Sequence, residues 1–125
     1  MITEFIYVRH GETEANRNAV LQGGGVDMPL NETGIRQAQA AAEYLSKEHF
    51  DVAFASELIR AAETAQIIAQ GNESGFPLEL VPQLREWNCG EWDFHQKIFT
   101  LCQTTLLDSG RVFSKRCTPA LTFFV

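Results

Sequence analysis

Two rhythms of hydrophobic and polar residues alternate along the chain. Phe5-Ile6-Tyr7-Val8 is a short β-branched and aromatic run that predicts a buried strand, with Arg9-His10-Gly11 at its C-terminal edge. Gly23, Gly24 and Gly25, followed by Asp27 and Pro29, mark a loop. From Thr33-Gly34 to about Ser46 the pattern turns helical: Ile35, Ala38, Ala42 and Leu45 recur three and four apart on one face, with Arg36, Gln39 and Glu43 opposite. Phe50 to Ala55 predicts a second strand. Ser56 is then a candidate cap for a second helix, Glu57 to Gln70, whose apolar face holds Leu58, Ala61, Ala65 and Ile68. Gly71 to Pro77 is turn-rich, and Leu78 to Val81 predicts a third strand.

This alternation of strand and helix predicts an α/β fold with parallel neighbours. Ligands of such sheets bind beyond the carboxyl ends of the strands, the edge to which Arg9-His10-Gly11 and the Ser56 segment both belong. Beyond Trp92 the rhythm is lost. Residues 1–94 therefore read as one unit and 95–125 as an atypical tail, whose apolar end, Leu121 to Val125, either packs on the core or promotes aggregation.

Composition narrows the function classes. At 125 residues, 45% hydrophobic and 21% charged, the chain has the make-up of one globular domain. Its net charge of −6 argues against nucleic acid as a partner. No apolar run is long enough to span a membrane, and the acidic start Met1-Ile2-Thr3-Glu4 argues against secretion. Cys89, Cys102 and Cys117 match no metal-ligand spacing and read as reduced thiols of a cytoplasmic protein; no metal or other cofactor is implied.

Four residues carry candidate chemistry. Arg9 and His10 leave the first strand, Arg60 lies one turn into the second predicted helix, and Glu86 follows the third strand. A neutral imidazole is a competent nucleophile near neutral pH, its reference pKa being about 6.5. Guanidinium forks match phosphate oxygens. A carboxylic acid can protonate a departing alkoxide. Together they suit phosphoryl transfer through a covalent phosphohistidine.

Val8-Arg9-His10-Gly11-Glu12-Thr13-Glu14-Ala15-Asn16 resembles the phosphohistidine signature of the histidine phosphatase (phosphoglycerate-mutase-like) superfamily. Three further segments are similar to later motifs of that family, in family order: Pro29 to Ala38, Ser56 to Ala65 with Arg60 and Thr64, and Leu84-Arg85-Glu86 through Gly90-Glu91-Trp92. The resemblance implies a three-layer sandwich around a mainly parallel sheet, incomplete here at its C-terminus. It also implies that His10 accepts the phosphoryl group, that Arg9 and Arg60 clamp it, and that Glu86 donates the proton. Gly11, Asn16, Gln22 and Gly23 would bind the phosphate of a small phosphorylated metabolite. Gln22-Gly23-Gly24-Gly25-Val26-Asp27 with Pro29-Leu30 looks most like the TIGAR-type fructose-2,6-bisphosphatases, with broad-specificity phosphatases as close competitors.

The resemblance stops near Phe94, as expected of a truncated or frameshifted chain. The family's second pocket histidine, set in a turn after a late strand, has no counterpart in context: His49 lies between helix and strand, and His95 lacks the accompanying glycine. Weak or no turnover is therefore expected. The alternatives are a phosphomutase using the same residues, or a non-catalytic relative that binds phospho-ligands or a protein partner.

Overall fold

A computed structural model describes residues 4–88, 113–115 and 121–124. In chain order the elements are β1 (Glu4–Tyr7), α1 (Glu14–Arg17), α2 (Glu32–Tyr44), β2 (Val52–Ala55), α3 (Ile59–Gly71), β3 (Leu78–Leu80), a 3-10 turn (Pro82–Leu84), β4 (Phe113–Lys115) and β5 (Leu121–Phe124). Among the described residues five strands form one sheet in the order β3-β2-β5-β1-β4. All neighbours run parallel except β4, which lies antiparallel to β1. This is the mainly parallel α/β sheet of a phosphoglycerate-mutase-like sandwich.

The core collects Ile6 from β1, Ala42 from α2, Ala53 and Ala55 from β2, and Ala65 and Ile68 from α3, with Leu45 and Phe50 beside them. Phe50 meets Phe76 edge-on, with centroids 5.1 Å apart. β1 differs from the buried strand expected. Ile6 faces the helices and is buried, whereas Phe5 and Tyr7 are 38% and 58% exposed and stack on each other on the opposite face. The cause is the two-residue period of a strand with helices packed against one side.

α2 begins earlier than its periodicity suggested, because Asn31 caps it: Oδ1 accepts from Gly34 N–H at 2.8 Å. Its buried stripe runs Gly34, Ala38, Ala42 and on to Leu45. Ile35, expected on the apolar face, is 40% exposed, since it is turned about 100° from Gly34. Small residues on both partners, Ala38 and Ala42 on α2 and Ala61 and Ala65 on α3, are buried where the helices pack.

Ser56 does not cap α3. Leu58 occupies that position, Ser56 Oγ accepts from Leu58 N–H at 3.3 Å, and a remote side chain does the capping, with Asp27 Oδ1 accepting from Ile59 N–H at 2.6 Å. The unexpected helix α1 spans four residues, too few to show a period. Its capping box is a Thr13-x-x-Asn16 pair.

β5 comes from the stretch whose role the sequence left open. It lies between β1 and β2, with Tyr7 opposite Phe124 and Phe54 also opposite Phe124. The carboxyl ends of β1, β2 and β5 thus share one edge of the sheet. His10 leaves β1 there, and the Ser56 segment leaves β2. His49, which precedes β2 and is exposed, belongs to the opposite edge.

Candidate active site

The turn after β1 is wedged between two helices. A Cβ on Gly11 would overlap the carbonyl oxygen of Gly34, and a Cβ on Gly34 would overlap that of Glu12. Both glycines are needed because two backbones touch, not because of a left-handed conformation. Asn31 N–H donates to Glu12 O (3.0 Å), Asn31 Nδ2 to Glu12 Oε1 (2.8 Å), and Glu12 N–H to Gln37 Oε1 (2.9 Å). On the α3 side Gly11 N–H donates to the buried Thr64 Oγ1 (3.0 Å), and that hydroxyl donates to Arg60 O (2.7 Å).

His10 is held within this turn, its Nδ1 lying 2.7 Å from Gly11 O. A carbonyl only accepts, so Nδ1 carries the hydrogen and the lone pair sits on Nε2. Burial pulls the imidazole down from its ordinary 6.5 to about 4, against the Gly11 hydrogen bond, which raises it, and with help from the positive charges of Arg60 and Arg9. At neutral pH the ring is therefore uncharged, with its lone pair on Nε2.

Arg60 is 1% exposed, the largest fully buried side chain among the described residues. NH1 donates to Val26 O at 2.6 Å and NH2 to Gly23 O at 3.4 Å, while Glu86 Oε2 lies 3.8 Å from NH2. Arg60 thus joins α3, the glycine loop and the acidic residue expected to donate a proton. Arg9, exposed beside His10, adds a second positive charge at the sheet edge.

The glycine loop is pinned along its length. Beyond Arg60 and Asp27, Glu63 Oε2 accepts from Leu30 N–H at 2.8 Å. At its start Gln22 Oε1 lies 2.8 Å from Thr13 Oγ1, which also lies 3.1 Å from Asn16 Oδ1; Asn16 Oδ1 accepts from Thr13 N–H as well. Among the described residues Gln22 Nε2 is buried without a hydrogen-bond partner. Asn16 and Gln22 therefore cluster around Thr13, while the Gly23 carbonyl meets Arg60, which in turn lies beside Glu86.

Glu86 itself is 58% exposed. Its loop docks on Gly24, which donates N–H to Trp87 O at 2.7 Å and accepts at its carbonyl from Arg85 Nε (3.1 Å) and NH2 (2.9 Å). Sequence reasoning placed Thr64, Asp27, Glu63, Gly24 and Arg85 within motifs but gave them no role at the site. Only Thr64 carried a readable signal, the spacing Arg60-x-x-x-Thr64 that stacks two side chains on successive helical turns. Among the described residues no group of three His, Cys, Asp or Glu side chains could hold a metal. No helix there is long and apolar enough to cross a membrane. His95, Cys89, Cys102 and Cys117 lie outside the described residues.

An uncharged histidine and a buried guanidinium thus stand at the carboxyl edge of a mainly parallel sheet, where ligands of α/β folds bind. The family model that matches residues 5–106 is that of the histidine phosphatase superfamily (branch 1), and the chain belongs to that superfamily. It is 48% identical over 85 residues to fructose-2,6-bisphosphatase TIGAR B of Danio rerio, covering 66% of this chain and 33% of that protein. It is 42% identical over 86 residues to the adenosylcobalamin/alpha-ribazole phosphatase of Salmonella typhimurium, covering 69% and 41%. The crystal structure of Entamoeba histolytica phosphoserine phosphatase in complex with 3-phosphoglyceric acid superposes with a TM-score of 0.66 at 37% identity, over 75% of this chain and 45% of that one. The chain thus spans less than half the length of each of these relatives.

Proposed function

We propose that this chain carries the phosphoryl-accepting site of a cytoplasmic phosphatase for small phosphorylated metabolites, with His10 as nucleophile. The observation that carries this reading is the tautomer of His10: Nδ1–H is spent on Gly11 O, and Nε2 is left unprotonated at neutral pH. Nε2 attacks phosphorus and the bond from phosphorus to the ester oxygen breaks. The carboxylic acid of Glu86 gives its proton to that oxygen as the alcohol departs. Arg9 and Arg60 hold the phosphoryl oxygens and match their charge in the transition state. A water then attacks the phosphohistidine, Glu86 takes the water's proton, and the nitrogen–phosphorus bond breaks to release inorganic phosphate.

The substrate's own phosphate would lie along Gly11, Asn16, Gln22 and Gly23. The buried donor Gln22 Nε2 supports this, because leaving such a group without an acceptor costs about 1–3 kcal/mol, which a phosphate oxygen would recover. Similarity to the TIGAR fructose-2,6-bisphosphatases favours a sugar phosphate and puts fructose 2,6-bisphosphate first among substrates to try.

The test is phosphate release from a panel of sugar and glycerate phosphates by the chain and by His10→Ala. Release that vanishes in the variant supports the reading. Release that survives it overturns the reading, and a folded chain that binds but never turns over belongs with the non-catalytic relatives.

A further inference from the structure

We propose that Arg85 is a positioning residue for Glu86, acting with Gly24 to hold the proton donor against the phosphate clamp. This rests on the functional reading above. The three residues Arg85, Glu86 and Trp87 are anchored at both ends to a single partner. Arg85 grips the Gly24 carbonyl through Nε and NH2, at 3.1 and 2.9 Å, and Gly24 N–H returns to the Trp87 carbonyl at 2.7 Å. Glu86 is the residue strung between these two anchors.

The seat is shaped for that purpose. A Cβ on Gly24 would overlap the Glu86 carbonyl oxygen, so only glycine lets the two backbones meet. The remaining guanidinium nitrogen, Arg85 NH1, pairs with Glu57 Oε1 at 2.8 Å, just ahead of α3 and three residues before Arg60. The adjacent Gly23 carbonyl lies 3.4 Å from Arg60 NH2, and Arg60 in turn lies 3.8 Å from Glu86. The contacts close a ring, Arg60 to Gly23-Gly24 to Arg85-Glu86 and back to Arg60.

An exposed ion pair such as Arg85–Glu57 contributes about 0–1 kcal/mol, so stability does not account for this arrangement. The fork on one carbonyl does something a point charge cannot. It fixes both the distance and the direction of the chain that carries Glu86. A proton donor needs that fixing, because its effect depends on reaching the departing oxygen within hydrogen-bond distance.

Two measurements on Arg85→Met and Arg85→Lys test this. The first is hydrogen exchange at the Gly24 amide, which needs no turnover. Both variants lose the fork, so Gly24 should exchange on the order of tenfold faster, as a local opening, while amides of α3 stay protected. The second is the ratio of turnover on an alkyl phosphate to that on 2,4-dinitrophenyl phosphate, whose leaving group departs without a proton. Arg85→Met should lower kcat on the alkyl ester by roughly ten- to a hundredfold, leaving KM and the dinitrophenyl ester within about threefold. It should add nothing in a Glu86→Gln background. An unchanged Gly24 exchange rate, an equal loss on both esters, or an additive loss beside Glu86→Gln each overturns the proposal. Hydrolysis that survives His10→Ala would instead defeat the functional reading, and the exchange measurement would still judge the clamp.

Discussion

Gly11 N–H reaches a buried threonine hydroxyl on α3, whereas Gly24 N–H reaches the carbonyl of the exposed Trp87. The histidine turn is seated on α2 and α3 through side chains that also cap or cross-link those helices, and it approaches Gly34 so closely that neither glycine tolerates a methyl group. The glutamate loop follows a short 3-10 turn, lies mostly in solvent, and is fixed by backbone groups and one arginine fork. Arg60 belongs to both. The proposed nucleophile's half of the site is thus part of the fold, while the proposed proton donor's half is hung upon it. Substitutions in the first should cost stability and activity together. Those in the second should cost activity with little change in stability.

The largest effect should come at the residue the two halves share. Arg60→Gln is expected to lower turnover on the order of a hundred- to a thousandfold, about 2.7–4 kcal/mol of transition-state stabilisation, as steady-state phosphate release will read. Next is Thr64→Val, which strands the Gly11 N–H. Chemical denaturation should show a loss of about 1–3 kcal/mol, and an undiminished midpoint would break the comparison on the histidine side. By contrast Glu57→Gln, on the glutamate side, should change stability by about 0–1 kcal/mol or less, an effect that fades with added salt.

Between those extremes falls the acid response of His10. The unfolded chain takes up a proton near pH 6.5 and the folded chain only near 4, so the unfolded state binds more protons across that window. Stability should therefore fall as pH drops from 6.5 toward 4, and His10→Ala should flatten that part of the curve. The acid limb of kcat/KM should likewise lie near 4, and an NMR titration of His10 centred at its ordinary value would contradict the burial described above.

Legibility in the sequence followed the range of the interactions. α2 and α3 were readable from a 3.6-residue rhythm sustained over several turns, and β1, β2 and β3 as short apolar runs bounded by turn signals. Arg9, His10, Arg60 and Glu86 were readable because each follows a strand whose carboxyl end had to share an edge. The four-residue α1 is too short to announce a period, although its Thr13-x-x-Asn16 box was there to be read. The cap on α3 could not be read locally, since Asp27 reaches Ile59 from another loop. The same holds for Gly34, whose reason is the backbone of Glu12, and for Arg85, whose partner Gly24 lies far upstream. β5 joins β1 and β2 through pairing that no local pattern specifies.

The proposed mechanism turns on phosphorylation of His10 at Nε2. The most direct test is to quench a reaction with a labelled phosphate ester at alkaline pH, where phosphohistidine survives, and to locate the label by peptide mass spectrometry. An acid-labile phosphoryl group is expected on His10 and is expected to be absent from His10→Ala. Label on another residue, or phosphate release without any label on His10, would contradict it.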